Sequence, residues 1–131
     1  MKHIEVVAGI IEYNDKILCM QRDKGKFDYV SFKWEFPGGK IEEGETKEEA
    51  LKRELREEME MDVEITNHFL DISHEYPDFT MNMYVFKCKA KSEKFVMNVH
   101  HDFKWLPLTE ISSLDWAPAD KPAVEKLLEE K

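Results

Sequence analysis

Along the chain, short apolar runs alternate with polar interruptions. Val6-Val7-Ala8-Gly9-Ile10-Ile11 is apolar without a break, which predicts a strand buried on both faces. Asn14-Asp15 is a turn signal, and Lys16-Ile17-Leu18-Cys19-Met20 predicts a second strand. Residues 23–34 are polar and aromatic with little periodicity and read as a surface loop, and Pro37-Gly38-Gly39 predicts irregular backbone after them. Thr46 with Glu49 three residues on forms a capping box. Residues from 47 to about 61 contain no Gly or Pro, so a helix follows that box. Residues 63–72, 80–90 and 103–108 predict strands. Ala123, Val124, Leu127 and Leu128 stand at helical spacing and predict a closing helix over 121–130. This order predicts an α/β fold in which helices pack on a mixed sheet. Residues 1–131 read as one domain, because no repeat or linker divides them.

Charge narrows the partners. The net charge of −9 argues against neutralising the many phosphates of duplex nucleic acid or an anionic membrane surface. Any phosphate handled here is expected to arrive with divalent cations or to meet a few local Lys and Arg. The longest apolar run, residues 6–11, is too short for a membrane helix, and no basic start precedes it as in a secretory signal. Cys19 and Cys88 lie in strand-like segments, which predicts reduced, buried thiols in a cytoplasmic protein.

The expected helix over 47–61 is where chemistry concentrates. At about 100° per residue, Glu57 lies about 60° to one side of Glu54 and Glu58 about 40° to the other. Three carboxylates therefore share one stripe, beside a stripe of Leu51, Leu55 and Met59 that gives the helix something to bury. Such spacing is mutually repulsive. An acidic solvated face explains the pattern in an arbitrary helix; a site for hard divalent cations, Mg²⁺ or Mn²⁺, explains it by removing the repulsion.

The residues before the helix favour the second explanation. Gly39, five residues, Glu45, seven residues, then Arg53-Glu54-Leu55-Arg56-Glu57-Glu58 closely resembles the Nudix box, G-x5-E-x7-R-E-U-x-E-E-x-G-U with U a bulky aliphatic. One position departs: Glu60 stands where the family has its second glycine, which predicts an altered turn at the helix exit and little effect on catalysis. The resemblance implies an α/β/α sandwich that hydrolyses a nucleoside diphosphate linked to another group. It implies that Glu54, Glu57, Glu58 and the Gly39 carbonyl bind Mg²⁺, with Mn²⁺ as a substitute. It also implies that Arg53 orients the cluster, that Glu45 supports it, and that Glu57 or Glu54 takes a proton from water.

Outside the box, Trp34-Glu35-Phe36-Pro37-Gly38-Gly39-Lys40, Glu75-Tyr76-Pro77-Asp78 and Trp116-Ala117-Pro118-Ala119-Asp120 resemble the MutT-like branch, which cleaves nucleoside triphosphates to monophosphate and pyrophosphate. Carried over, Arg22 and Lys40 contact phosphates, Phe36 and Tyr76 flank the base, and Asp78 and Asp120 line the pocket. Plainer roles stand beside these. Asp120 is also placed to cap the last helix, with Pro122 in its first turn. Phe36 and Tyr76 also suit a core, and Trp116 suits packing on the last helix. His100-His101 invites a metal reading, but an isolated pair after a strand is more often a surface or packing feature. Lys104 stands where some relatives have a late acid, with Asp102 as a weak substitute. The leading expectation is a small-molecule nucleotide pyrophosphohydrolase, monomeric or homodimeric, acting on oxidised dGTP. A CTP or modified dCTP pyrophosphohydrolase comes next, then an ADP-ribose pyrophosphatase, then a non-catalytic nucleotide-binding module. The retained carboxylate triplet argues against the last.

Overall fold

A computed structural model describes residues 1–130; Lys131, the last residue of the expected domain, lies outside the described residues. The strands are β1 (Lys2–Tyr13), β2 (Lys16–Gln21), β3 (Trp34–Glu35), β4 (Gly38–Lys40), β5 (Val63–Glu75), β6 (Phe79–Ala90) and β7 (Asp102–Pro107). The helices are α1 (Lys47–Met59) and α2 (Lys121–Glu129). The sheet runs β3-β2-β1-β6-β5, with β4 added to β1 and β7 to β2. The β1–β6 pair is parallel and the others are antiparallel, so the sheet is mixed as expected.

Period-two alternation splits each central strand between two cores. Val7 and Ile11 of β1 and Leu18 and Met20 of β2 pack with Ala50, Leu51, Leu55 and Met59 of α1. Val6, Ala8 and Ile10, with Ile17 and Cys19, pack on the other face with Ala123, Val124 and Leu127 of α2. The unbroken apolar run of β1 is thus the midline of an α/β/α sandwich. Asn14 and Asp15 both take positive φ, 51° and 62°, the twist that suits a two-residue hairpin. Among the described residues no helix is long and apolar enough to cross a membrane.

Two local expectations are corrected. Gly38–Lys40 is not irregular but a short strand, in register Ala8↔Gly38, Val7↔Gly39 and Val6↔Lys40. Glycine is needed there for close approach, since a Cβ on Gly38 would overlap the Val7 carbonyl oxygen. The segment 23–34 is not wholly surface: Val30 is buried, and Trp34 enters β3.

The exit of α1 is also not altered as expected. Glu60 takes the left-handed conformation (φ 50°, ψ 39°), and its N–H donates to Arg56 O at 3.0 Å. A glycine-type exit is therefore kept, at the cost of placing a β-carbon in left-handed backbone. Glu60→Gly is expected to stabilise the protein by about 1 kcal/mol, raising Tm by about 4 °C in thermal unfolding. An unchanged or lower Tm would show that the strain is not there.

Candidate active site

Helix α1 is set by its capping box: Glu49 N–H donates to Thr46 Oγ1 at 3.1 Å, and Thr46 N–H to Glu49 Oε1 at 2.8 Å. With Leu51, Leu55 and Met59 buried on the sheet, Glu54 and Glu58 emerge at the edge of that contact and Glu57 one step outside it. The Glu54 side chain is 13% exposed and that of Glu57 61%. Glu54 and Glu58 line a cavity of about 1030 Å³, and Glu57 is not among its lining residues.

Arg53 ties this edge together. Its Nε donates to Glu45 Oε2 (2.6 Å), Nη2 to Glu45 Oε1 (2.9 Å) and the Lys40 carbonyl (3.0 Å), and Nη1 to Glu54 (2.9 Å) and Glu57 (3.1 Å). All five N–H donors of the guanidinium are used. Its hydrogen bonds hold the Glu45 carboxyl below the usual carboxylate range. A Cβ on Gly39 would overlap the Glu54 carboxylate, so this glycine lets β4 lie directly against the helix edge.

Glu58 behaves differently. Burial first, and then the neighbouring Glu54 charge, push its carboxyl up to about 7 from 4.5. An acid raised on folding contributes its full stability below the unfolded value and loses it as pH rises through the folded one. Without divalent ions, Glu58→Gln is therefore expected to be more stable than the wild type at pH 8, by roughly 1–2 kcal/mol once solvent screening of the partly exposed carboxyl is allowed for. The difference should vanish near pH 4.5. Thermal unfolding at both pH values checks this, and an equal Tm difference at both would refute it.

The opposite wall comes from β2, β3 and the loop before β7. Arg22 Nη1 donates to Glu35 Oε1 (3.1 Å), and His100 Nε2 lies 3.1 Å from Glu35 Oε2. Both residues line the cavity, and Arg22 Nε and His100 Nδ1 are buried without a hydrogen-bond partner among the described residues. Of the two readings, surface or packing, His100 takes the second: its side chain is 5% exposed, whereas His101 is exposed beside Phe32. Asp102 is exposed and accepts from Phe103 N–H (2.7 Å), and Lys104 Nζ sits 5.5 Å from the Trp34 ring. Neither lines the cavity.

Asp120 is buried at 4% exposure, and its Oδ2 accepts the Phe36 N–H at 3.0 Å. It makes no side-chain cap on α2. The reason is local: a 3-10 turn, Pro118–Asp120, runs straight into α2, so Asp120 is already helical (φ −86°, ψ −17°), not in the extended conformation of a capping residue. Burial, reinforced by Glu35, raises its carboxyl well above the ordinary value. Phe36 stacks on Trp116 (4.6 Å between centroids), and Tyr76 OH accepts the Ala119 N–H (3.0 Å). Both are core members that also line the cavity. Trp116 belongs to the same core as α2. Asp78 lines the cavity and accepts from Tyr29 OH (2.9 Å), while Lys40 lines it from an exposed position. Arg22, Lys40, Phe36, Tyr76, Asp78 and Asp120 thus meet Gly39, Glu54 and Glu58 around one cavity; Arg53 and Glu57 do not line it.

A family model described as NUDIX domain matches residues 2–127. The chain belongs to the Nudix family. It resembles the 8-oxo-dGTP diphosphatase of Escherichia coli K12, 29% identical over 127 residues (97% of this chain, 98% of the relative). It likewise resembles the CTP pyrophosphohydrolase of the same organism, 33% identical over 128 residues (98% and 93%). Among solved structures, the DNA mismatch repair protein MutT of methicillin-resistant Staphylococcus aureus 252 is 40% identical with TM-score 0.77, covering 100% of both chains. The Escherichia coli ORF135 protein is 32% identical with TM-score 0.81 (98% and 91%). This Nudix protein is a MutT-like hydrolase acting on phosphoanhydride bonds.

Nudix hydrolases generally use divalent metals, and the oxygen-rich edge of α1 fits a hard cation. Among the described residues no three His, Cys, Asp or Glu side chains converge on one ligating point, and Glu54 and Glu57 both pair with Arg53. The sequence assigned Glu35 no separate role and read His100 as a surface or packing residue. The signal was weak: Glu35 lies inside the Trp34-to-Lys40 run, but nothing local pairs it with a histidine 65 residues away.

Proposed function

We propose that the protein is a nucleoside triphosphate pyrophosphohydrolase dependent on Mg²⁺, with Mn²⁺ as a substitute, releasing nucleoside monophosphate and pyrophosphate. The observation carrying this reading is a single cavity of nucleotide size lined both by Glu54 and Glu58 and by Asp120, Phe36 and Tyr76. Divalent cations, when bound, neutralise charge on the pyrophosphate oxygens and ionise water near neutral pH. Glu54, Glu57, Glu58 and the Gly39 carbonyl are the oxygen donors for them. Arg53 aims the carboxylates, and Glu54 or Glu57 accepts the proton of the attacking water. Arg22, with its unpartnered Nε, and Lys40 bind the phosphates. Phe36 and Tyr76 flank the base, while Asp78 and Asp120 line its pocket.

Oxidised dGTP is the first candidate substrate, in line with a relative named 8-oxo-dGTP diphosphatase, and the reaction would cleanse the nucleotide pool before DNA synthesis. CTP or a modified dCTP is the second, favoured by the 33% identical CTP pyrophosphohydrolase. The buried free thiols of Cys19 and Cys88 suit the cytoplasm, where residues 1–131 work as one Nudix unit, monomeric or homodimeric. Pyrophosphate release from 8-oxo-dGTP, dGTP, CTP, modified dCTP and ADP-ribose, with and without Mg²⁺, tests the proposal. Mg²⁺-dependent release from a triphosphate is the expected result. Turnover of ADP-ribose alone would make it an ADP-ribose pyrophosphatase, and no turnover would leave a non-catalytic nucleotide-binding module.

A further inference from the structure

The last turn of α1 is finished by a segment far away in sequence. Carbonyls at a helix end have no partner within the helix. Here Val96 N–H donates to Met59 O (2.9 Å), Asn98 N–H to Glu58 O (3.1 Å) and Asn98 Nδ2 to Glu57 O (3.3 Å). His101 N–H then donates to Gln21 O (2.9 Å) at the end of β2. The strap is thus pinned on both sides of His100, and pinned to the backbone of the very residues that bear the carboxylates.

This strap carries the imidazole into the cavity that Glu54 and Glu58 also line. There, Nε2 faces Glu35 Oε2 at 3.1 Å, and Glu35 is itself held by Arg22. A carboxylate accepts only, so in the neutral ring the contact places the proton on Nε2 and the lone pair on Nδ1. That lone pair is buried and has no donor among the described residues. A carboxylate behind one ring nitrogen and a bare lone pair on the other is the arrangement that orients histidine ligands toward metals.

We propose that His100 Nδ1 is a nitrogen ligand to a divalent cation shared with Glu58, and that Glu35 is the positioning residue that fixes its tautomer. The proposal rests on the reading of Glu54 and Glu58 as cation-holding groups. Glu58 would supply an oxygen and His100 Nδ1 a nitrogen to that cation, and its charge would offset the repulsion between Glu58 and Glu54. An imidazole nitrogen among carboxylate oxygens shifts preference from Mg²⁺ toward Mn²⁺ and later divalent metals, which favour nitrogen more strongly.

Mn²⁺ added to the full-length protein is the probe, read by pulsed electron paramagnetic resonance and by titration calorimetry. The expected spectrum contains the hyperfine coupling of a directly bound imidazole nitrogen, which changes when histidine is isotopically labelled. His100→Asn is expected to lose that coupling and to weaken Mn²⁺ binding about tenfold or more, with a smaller loss for Mg²⁺. Glu35→Gln keeps the coupling and weakens binding by about tenfold. A wild-type spectrum without nitrogen coupling overturns the proposal even if His100→Asn does not fold. Mn²⁺ binding that disappears in Glu58→Gln but shows no nitrogen coupling would overturn the role of His100 and leave the carboxylate site standing. A coupling that survives in a folded His100→Asn would overturn it equally. Absence of any Mn²⁺ binding would overturn both this inference and the reading it rests on.

Discussion

Glu54→Gln is expected to lower turnover by about three orders of magnitude, about 4 kcal/mol of transition-state stabilisation, with the fold intact. Glu54 is the carboxylate held on most sides: it accepts from Arg53, lies directly against Gly39, and lines the cavity. The replacement has nearly the same volume, so Leu51, Leu55 and Gly39 keep their contacts. What is lost is the negative charge, which serves a divalent cation and a developing hydroxide alike. The loss should fall on kcat at saturating Mg²⁺, with an unchanged circular dichroism spectrum and a Tm close to wild type. Activity within tenfold of wild type would remove Glu54 from the chemistry and with it the assignment of the cavity. Glu57→Gln provides the comparison, because Glu57 is mostly exposed and does not line the cavity.

Arg53→Lys is expected to reduce turnover by about a hundredfold and stability by about 2 kcal/mol. Five N–H groups here meet two oxygens of Glu45, one each of Glu54 and Glu57, and the Lys40 carbonyl. A lysine ammonium offers three donors from a single point and cannot span from Glu45 to Glu57. The charge survives but the geometry does not, so Glu54 and Glu57 swing and β4 loses its tie to α1. Kinetics with thermal unfolding of the same sample checks both parts. A variant of normal Tm and normal kcat would mean that any cation at this position suffices.

Much of this molecule was legible along the chain because the signals were local. The capping box at Thr46 and Glu49, the double-faced apolar run of β1 and the Asn14-Asp15 turn each depend on residues within a few positions. Glycines were harder to read. Gly38 and Gly39 look like punctuation in a sequence, yet they sit in a strand because two neighbouring groups, the Val7 carbonyl and the Glu54 carboxylate, leave no room for a β-carbon. Glu60 was misread for a related reason: a missing glycine suggests a different turn, but the surrounding bonds hold the left-handed turn regardless of the side chain.

Spacing by itself determined that Glu54, Glu57 and Glu58 share an edge of one helix, since helical pitch is a property of the backbone alone. It also determined the box from Gly39 to Glu58 and the alternation that makes a mixed sheet between two helices. Only the tertiary structure decided how those carboxylates differ. Glu58 is raised to about 7 by burial, Glu54 and Glu57 are drawn to Arg53, and Asp120 turns from capping α2 to holding Phe36. It alone brought Glu35 to His100 across 65 positions. Proton affinity and pairing depend on the solvent excluded and the charges met in three dimensions, and neither quantity is a function of neighbours in sequence.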